Sequence, residues 1–153
     1  MHKQARMGHP AVILPDAMKA LWALKAATQN SGVADGTLSL VELRASQING
    51  CCACVDGHVR LMKKAGETDE RLFAVGVWRE APYFSEAERA ALALTEEVTR
   101  IGERVDGVSD AVWHEASRHY DEAALAALVL AIANINVWNR LNVSVRQPPG
   151  EWA

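Results

Sequence analysis

At 153 residues, half of them hydrophobic and 23% charged, the chain has the composition of one soluble globular domain and not that of a disordered segment. Nineteen acidic residues against sixteen basic ones give a formal net charge of −3, which provides no electrostatic reason for a nucleic-acid or anionic-membrane partner. No secretory h-region follows the polar start Met1 to His9, and the longest apolar run, Ala123 to Ala133, is too short to span a bilayer. The chain therefore reads as cytoplasmic.

In chain order, the punctuation predicts about seven helices and no sheet. Pro15-Asp16 opens a first helix, Ala17 to about Gln29, closed by Asn30-Ser31-Gly32. A second runs from about Leu38 to Ile48, with Leu38, Val41, Ala45 and Ile48 on one stripe, and Asn49-Gly50 breaks it. A third covers about Cys51 to Lys64, with Gly66 where a C-terminal cap belongs, and a short fourth covers about Asp69 to Trp78. Pro82 forces a turn. Ser85 with Glu88 forms a capping box for a fifth helix, ending near Gly102. Ser109 caps a sixth, ending near His119. Asp121 caps the longest, about Glu122 to Asn142, and an irregular, exposed tail begins at Gln147. No period-two run of β-branched residues and no internal repeat occurs, so a single all-α domain over 1–153 is expected. Because Ala123 to Ala133 is apolar on every side, it is expected to be buried all round, with part of that helix, or the first helix with Leu21, Trp22 and Leu24, packed against another subunit.

The chemistry is concentrated in Asn49-Gly50-Cys51-Cys52-Ala53-Cys54-Val55-Asp56-Gly57-His58. Cys51, Cys54 and His58 fall at i, i+3 and i+7, one stripe of a helix, with Cys52 about 100° away around the axis. A thiol must ionise to attack a peroxide or a disulfide, and the free N–H groups and dipole at a helix N-terminus favour the thiolate. A histidine one turn on can take or relay a proton. A second cysteine can convert a sulfenic acid to a disulfide before over-oxidation. Three cysteines within four positions do not make a structural disulfide framework. Haem attachment needs histidine directly after the second cysteine, where Val55 stands, and thioredoxin needs βαβ patterning. Two rivals remain: zinc held by Cys51 and Cys54 with His114 and His119, against which stands a gap far longer than in a zinc finger, and three small core residues without chemistry. His114 and His119 read as surface or helix-end residues. The five tryptophans read as packing, and Asn134, Asn136, Asn139 and Asn142 as partners for buried polar groups. No Gly-x-Gly-x-x-Gly occurs, and no metal or organic cofactor is expected.

Glu42-Leu43-Arg44-Ala45-Ser46-Gln47-Ile48-Asn49-Gly50-Cys51, followed by Cys54 and His58, resembles the signature of AhpD-like alkylhydroperoxidases of the carboxymuconolactone decarboxylase superfamily. The resemblance continues through Lys64-Ala65-Gly66-Glu67-Thr68, Trp78-Arg79-Glu80-Ala81-Pro82, Glu88-Arg89-Ala90-Ala91-Leu92 and Ile135-Asn136-Val137-Trp138-Asn139-Arg140, about residues 38–142 in all. It implies an all-α fold, a homo-oligomer (trimer or hexamer), and a dithiol peroxidase or disulfide reductase recycled by an external dithiol reductant. On this resemblance Cys54 attacks the hydroperoxide, Cys51 resolves, and His58 relays a proton with a glutamate of the preceding helix. The sequence departs from the pattern in two places. Ser39 occupies the position twelve residues before Cys51 where the family places that glutamate, leaving Glu42, one turn later, as the candidate to substitute. Cys52-Ala53 replaces a small residue and an aromatic, and Cys52 is expected to pack beneath the helix. A lyase of the decarboxylase branch, which does not need the dithiol, and a non-catalytic redox-sensing oligomer are the alternatives.

Overall fold

A computed structural model describes residues 4–150, and its described residues form eight α-helices and no strand. They are α1 (Pro10–Ile13), α2 (Pro15–Ala27), α3 (Asp35–Ile48), α4 (Cys52–Lys64), α5 (Asp69–Ala74), α6 (Glu86–Thr99), α7 (Asp110–His119) and α8 (Glu122–Val145). Short 3-10 turns follow α5 at Val75–Val77 and α6 at Ile101–Glu103. The expected all-helical class holds, with differences at several ends. A single-turn helix, α1, precedes the first expected one. It is capped by the His9 ring, whose Nδ1 accepts the Ala11 N–H at 3.1 Å. The second expected helix starts earlier, at Asp35, because Gly36 and Thr37 are accommodated inside its first turn. α8 runs past Asn142 to Val145. Two of its last carbonyls, those of Ser144 and Val145, are taken by the Arg6 guanidinium and the Arg6 N–H, both at 2.9 Å. Of the expected tail, residues 147–150 are irregular as predicted, but Gln147 and Pro148 are half-buried; residues 151–153 lie outside the described part.

α3 is the central helix, packed against α4, α6 and α8. On one side Val41 meets Leu94, Leu128 and Ile132 from α6 and α8. On the other, Leu40 and Leu43 meet Met62, Val75, Trp78 and Leu92. Most of these side chains are removed from water entirely, and each contributes roughly 1.5–3 kcal/mol by burial. A buried ion cluster locks α3 to α6. The Glu96 carboxylate accepts Arg44 Nε at 2.8 Å, Trp78 Nε1 at 2.9 Å and an Arg79 nitrogen at 2.6 Å. Burial pushes this carboxyl up, but the bonds from Trp78, Arg79 and Arg44 outweigh it and hold the pKa below the ordinary value.

Within the single chain, α8 is buried on one face only. Its inner face is buried at Ala124, Leu128, Ala131 and Ile132, whereas Ala123, Ala126, Leu130 and Ala133 form an exposed apolar stripe in the single chain. A bundle of this size covers only one side of a 24-residue helix. The helix is long and apolar enough to cross a membrane by length and composition, yet 56% of its most apolar window is buried among its neighbours.

Candidate active site

The turn between α3 and α4 sets the site. Gly50 adopts φ +65°, Cys51 N–H donates to the Ser46 carbonyl at 3.0 Å, and Gly50 N–H donates to the Gln47 carbonyl at 3.2 Å. This is a Schellman stop, and its left-handed residue favours glycine for conformational reasons. The next residue, Cys51, is already the N-cap of α4; its Sγ accepts the Cys54 N–H at 3.3 Å. One break in the helix thus ends α3 and delivers both sulfurs to the first turn of α4. Cys51 and Cys54 are joined as a disulfide, with their Cα atoms 5.3 Å apart, and both are buried. Cys52 is a free, exposed thiol. The expectation that it packs beneath the helix is corrected: the turn of about 100° that removes it from the reactive stripe points it at solvent.

Glu42 and His58 meet beside this pair. Glu42, 7% exposed, sits on α3 with Oε2 3.5 Å from His58 Nδ1. Its other partner comes from α2: Lys25 Nζ donates to both carboxylate oxygens at 2.9 Å. Burial holds the His58 pKa below the ordinary histidine value. The Glu42 charge pulls it up and the Lys25 charge pushes it down. The balance favours the neutral form of His58. Ser39 is half-buried, one turn before Glu42 on α3.

α8 supplies the opposite wall. Asn139, fully buried, donates to Ser46 Oγ at 3.0 Å and accepts Asn49 Nδ2 at 2.8 Å, while Asn136 accepts the same Asn49 amide at 2.9 Å. These two asparagines satisfy buried polar groups, as expected, and clamp α8 onto the end of α3. Asn142, one turn further, donates Nδ2 to Cys54 Sγ at 3.2 Å. A cavity of about 450 Å³ opens beside Cys54. His58, Glu42 and Lys25 are among its polar lining and Trp22, Trp138, Met18 and Ile135 among its apolar lining, with His9 and Asn142 also in its wall. His114 and His119 are not brought to the cysteines. They lie on α7, which packs on α6 and α8, and His119 pairs with Glu115 at 3.1 Å. Among the described residues no cluster of three or more His, Cys, Asp or Glu side chains suits a metal. Lys25, Asn142, His9 and the two tryptophans of the wall were not singled out as site residues from sequence. They are far from the Cys-x-x-Cys motif along the chain, and only the packing of α2 on α8, and of α8 on α3 and α4, brings them to it.

The all-helical scaffold that carries the cysteine pair, His58 and Glu42 is AhpD-like. The chain belongs to the carboxymuconolactone decarboxylase family, whose sequence profile matches residues 15–97. It is 37% identical over 133 residues to the uncharacterized protein YdfG of Bacillus subtilis, covering 87% of this chain and 89% of that one. It is also similar to the crystal structure of an Agrobacterium tumefaciens protein of unknown function with a suggested AhpD role in antioxidant defence. That match has a TM-score of 0.88 and 35% identity, over 97% of this chain and all of the other. At 20% identity the fold also matches the debrominase Bmp8, with a TM-score of 0.77 over 92% of this chain and 74% of that one.

Proposed function

We propose that the protein is a thiol-dependent peroxidase acting on organic hydroperoxides, recycled by an external dithiol. One observation carries this reading: Cys54 of the disulfide pair lines one cavity with His58, Glu42 and two tryptophans. A volume of about 450 Å³ suits a small organic molecule and greatly exceeds the size of hydrogen peroxide.

In the reduced protein, neutral His58 takes the Cys54 proton. The thiolate attacks the outer peroxide oxygen, the O–O bond breaks, and Cys54 becomes a sulfenic acid. The departing alkoxide recovers the proton from His58 and leaves as the alcohol. Cys51 thiol then attacks the sulfenic sulfur, water leaves, and the disulfide forms. The external dithiol returns two electrons and two protons by exchange. Glu42, held by Lys25, orients His58 and stabilises its protonated form in the place the resemblance leaves vacant at Ser39.

The test is oxidation of dithiothreitol dependent on cumene hydroperoxide, with hydrogen peroxide in parallel. Turnover that needs Cys54 and prefers the organic substrate supports the proposal; no turnover with either defeats it. The same dithiol could deliver two electrons to a halogenated aromatic ring, a reading favoured by the flat aromatic walls and the fold shared with a debrominase solved with 2,3,4-tribromopyrrole. Halide release from a bromopyrrole distinguishes it. Loss of absorbance from a carboxymuconolactone would indicate the decarboxylase branch instead. We further propose that the exposed α8 stripe is covered by a second copy of the chain; a stable monomer at micromolar concentration in sedimentation would refute this.

A further inference from the structure

Cys54 has polar neighbours that the His58 relay does not use. Asn142, 3% exposed, donates Nδ2 to the sulfur at 3.2 Å. Beside it stands the His9 ring, tilted against Trp138 with centroids 5.6 Å apart. Nδ1 of that ring is occupied as the acceptor of the Ala11 N–H. A neutral ring must therefore carry its proton on Nε2. Burial favours the neutral ring, against a weaker upward pull from the Asn142 amide. Nε2 is sealed from solvent and makes no hydrogen bond of good geometry. A buried donor without a partner is costly, and its presence calls for an explanation. The Asn142 amide supplies one: with its nitrogen committed to sulfur, its oxygen is the acceptor that chemistry leaves for a histidine N–H.

We infer that Asn142 and His9 form a second arm on Cys54, in which Asn142 donates to the sulfur and His9, a positioning residue acting through it, holds the amide in place. The inference rests on the proposed thiol chemistry. In the disulfide the sulfur is a weak, neutral acceptor, and the arm is only half engaged. Reduction by a dithiol adds two electrons and two protons and yields two thiols. Loss of the Cys54 proton then leaves an anion, to which a hydrogen bond is roughly twice as strong. The arm thus favours the reduced, ionised form, and it reaches the sulfur from α8 and the N-terminal segment, whereas His58 belongs to α4 itself.

The experiment follows alkylation of Cys54 by iodoacetamide against pH in a Cys51→Ser, Cys52→Ala background, where Cys54 is the sole thiol. His58 from α4, Glu42 from α3, Lys25 from α2 and the Asp56-paired Arg60 at the cavity edge stay in place in every protein compared, so differences report the arm. Asn142→Leu should move the alkylation midpoint to higher pH and slow the reaction about tenfold below it. His9→Phe, which keeps an aromatic against Trp138, should slow it roughly threefold, and His9→Gln, with an N–H near the Nε2 position, should restore it. His9→Phe lies outside the bundle core and keeps the test decisive if Asn142→Leu fails to fold. An unchanged midpoint and rate in a folded Asn142→Leu or His9→Phe protein overturns the inference. Alkylation does not depend on peroxide turnover: loss of turnover in the wild type with the midpoint shift intact would refute the proposed function and leave the arm standing.

Discussion

Replacing Asn139 by alanine tests the clamp that fixes α8 to the cysteine turn. Asn139 is fully buried and makes two side-chain hydrogen bonds, to Ser46 at 3.0 Å and from Asn49 at 2.8 Å. Each neutral bond of this kind contributes a net stability of about 1 kcal/mol. The partners are not wholly orphaned: the Ser46 hydroxyl still donates to the Glu42 carbonyl at 2.7 Å, and the Asn49 amide still reaches Asn136. The desolvation penalty is therefore partial, and the void left by the amide adds to it. The sum is roughly 2–4 kcal/mol. For a domain of this size that corresponds to a Tm lower by about 5–15 °C. Urea unfolding followed by far-UV circular dichroism, with the slope against urea compared between proteins, measures it. A loss below about 1 kcal/mol with an unchanged slope would show that α8 is held by apolar packing and that the asparagine ladder is incidental.

Three further outcomes follow from the site. In the NMR titration of His58, Glu42→Gln should lower the midpoint and Lys25→Met should raise it, because the first removes an upward pull and the second a downward one; shifts in the same direction would mean that neither charge acts on His58 as described. Both His58 and His9 are held below the ordinary value by burial. As pH falls below about 6.5 the unfolded chain takes up protons that the folded chain refuses, so stability should drop until the folded histidines are themselves protonated. The double variant His58→Gln, His9→Gln should flatten the urea midpoint between pH 7.5 and 5.5; an undiminished slope would assign the pH dependence to other groups. Cys52→Ala should match the wild type in peroxide turnover within about twofold, since its thiol faces solvent off the reactive stripe; a large loss would place Cys52 in the chemistry.

The parts of the fold that were legible in the sequence are those governed by local rules. Asn49-Gly50 ends a helix because the stop needs a left-handed residue, and Ser85 and Glu88 form a reciprocal capping box in the structure as expected. The spacing of Cys51, Cys54 and His58 was readable because the N-cap and first two turns of one helix hold all three. Glu42 was legible only as a candidate. Its place near His58 depends on how α3 packs on α4, which no local pattern encodes. Lys25 lies 17 residues before Glu42, and Asn142 lies 88 residues after Cys54. Neither carries a motif, and their meeting is a product of the bundle. For α8 the sequence shows an apolar surface on every side but not which part of it this chain covers, since an all-round apolar helix predicts a partner without saying whether that partner belongs to the same chain.

In the proposed cycle Cys54 attacks the peroxide and Cys51 resolves the sulfenic acid. The most direct measurement takes the Cys51→Ser protein, adds one equivalent of cumene hydroperoxide, traps with dimedone, and maps the adduct by mass spectrometry. One adduct on Cys54 is expected there and none in the wild type, because Cys51 closes the disulfide first. An adduct on Cys52, or a Cys52–Cys54 bond in the wild type, would contradict the cycle.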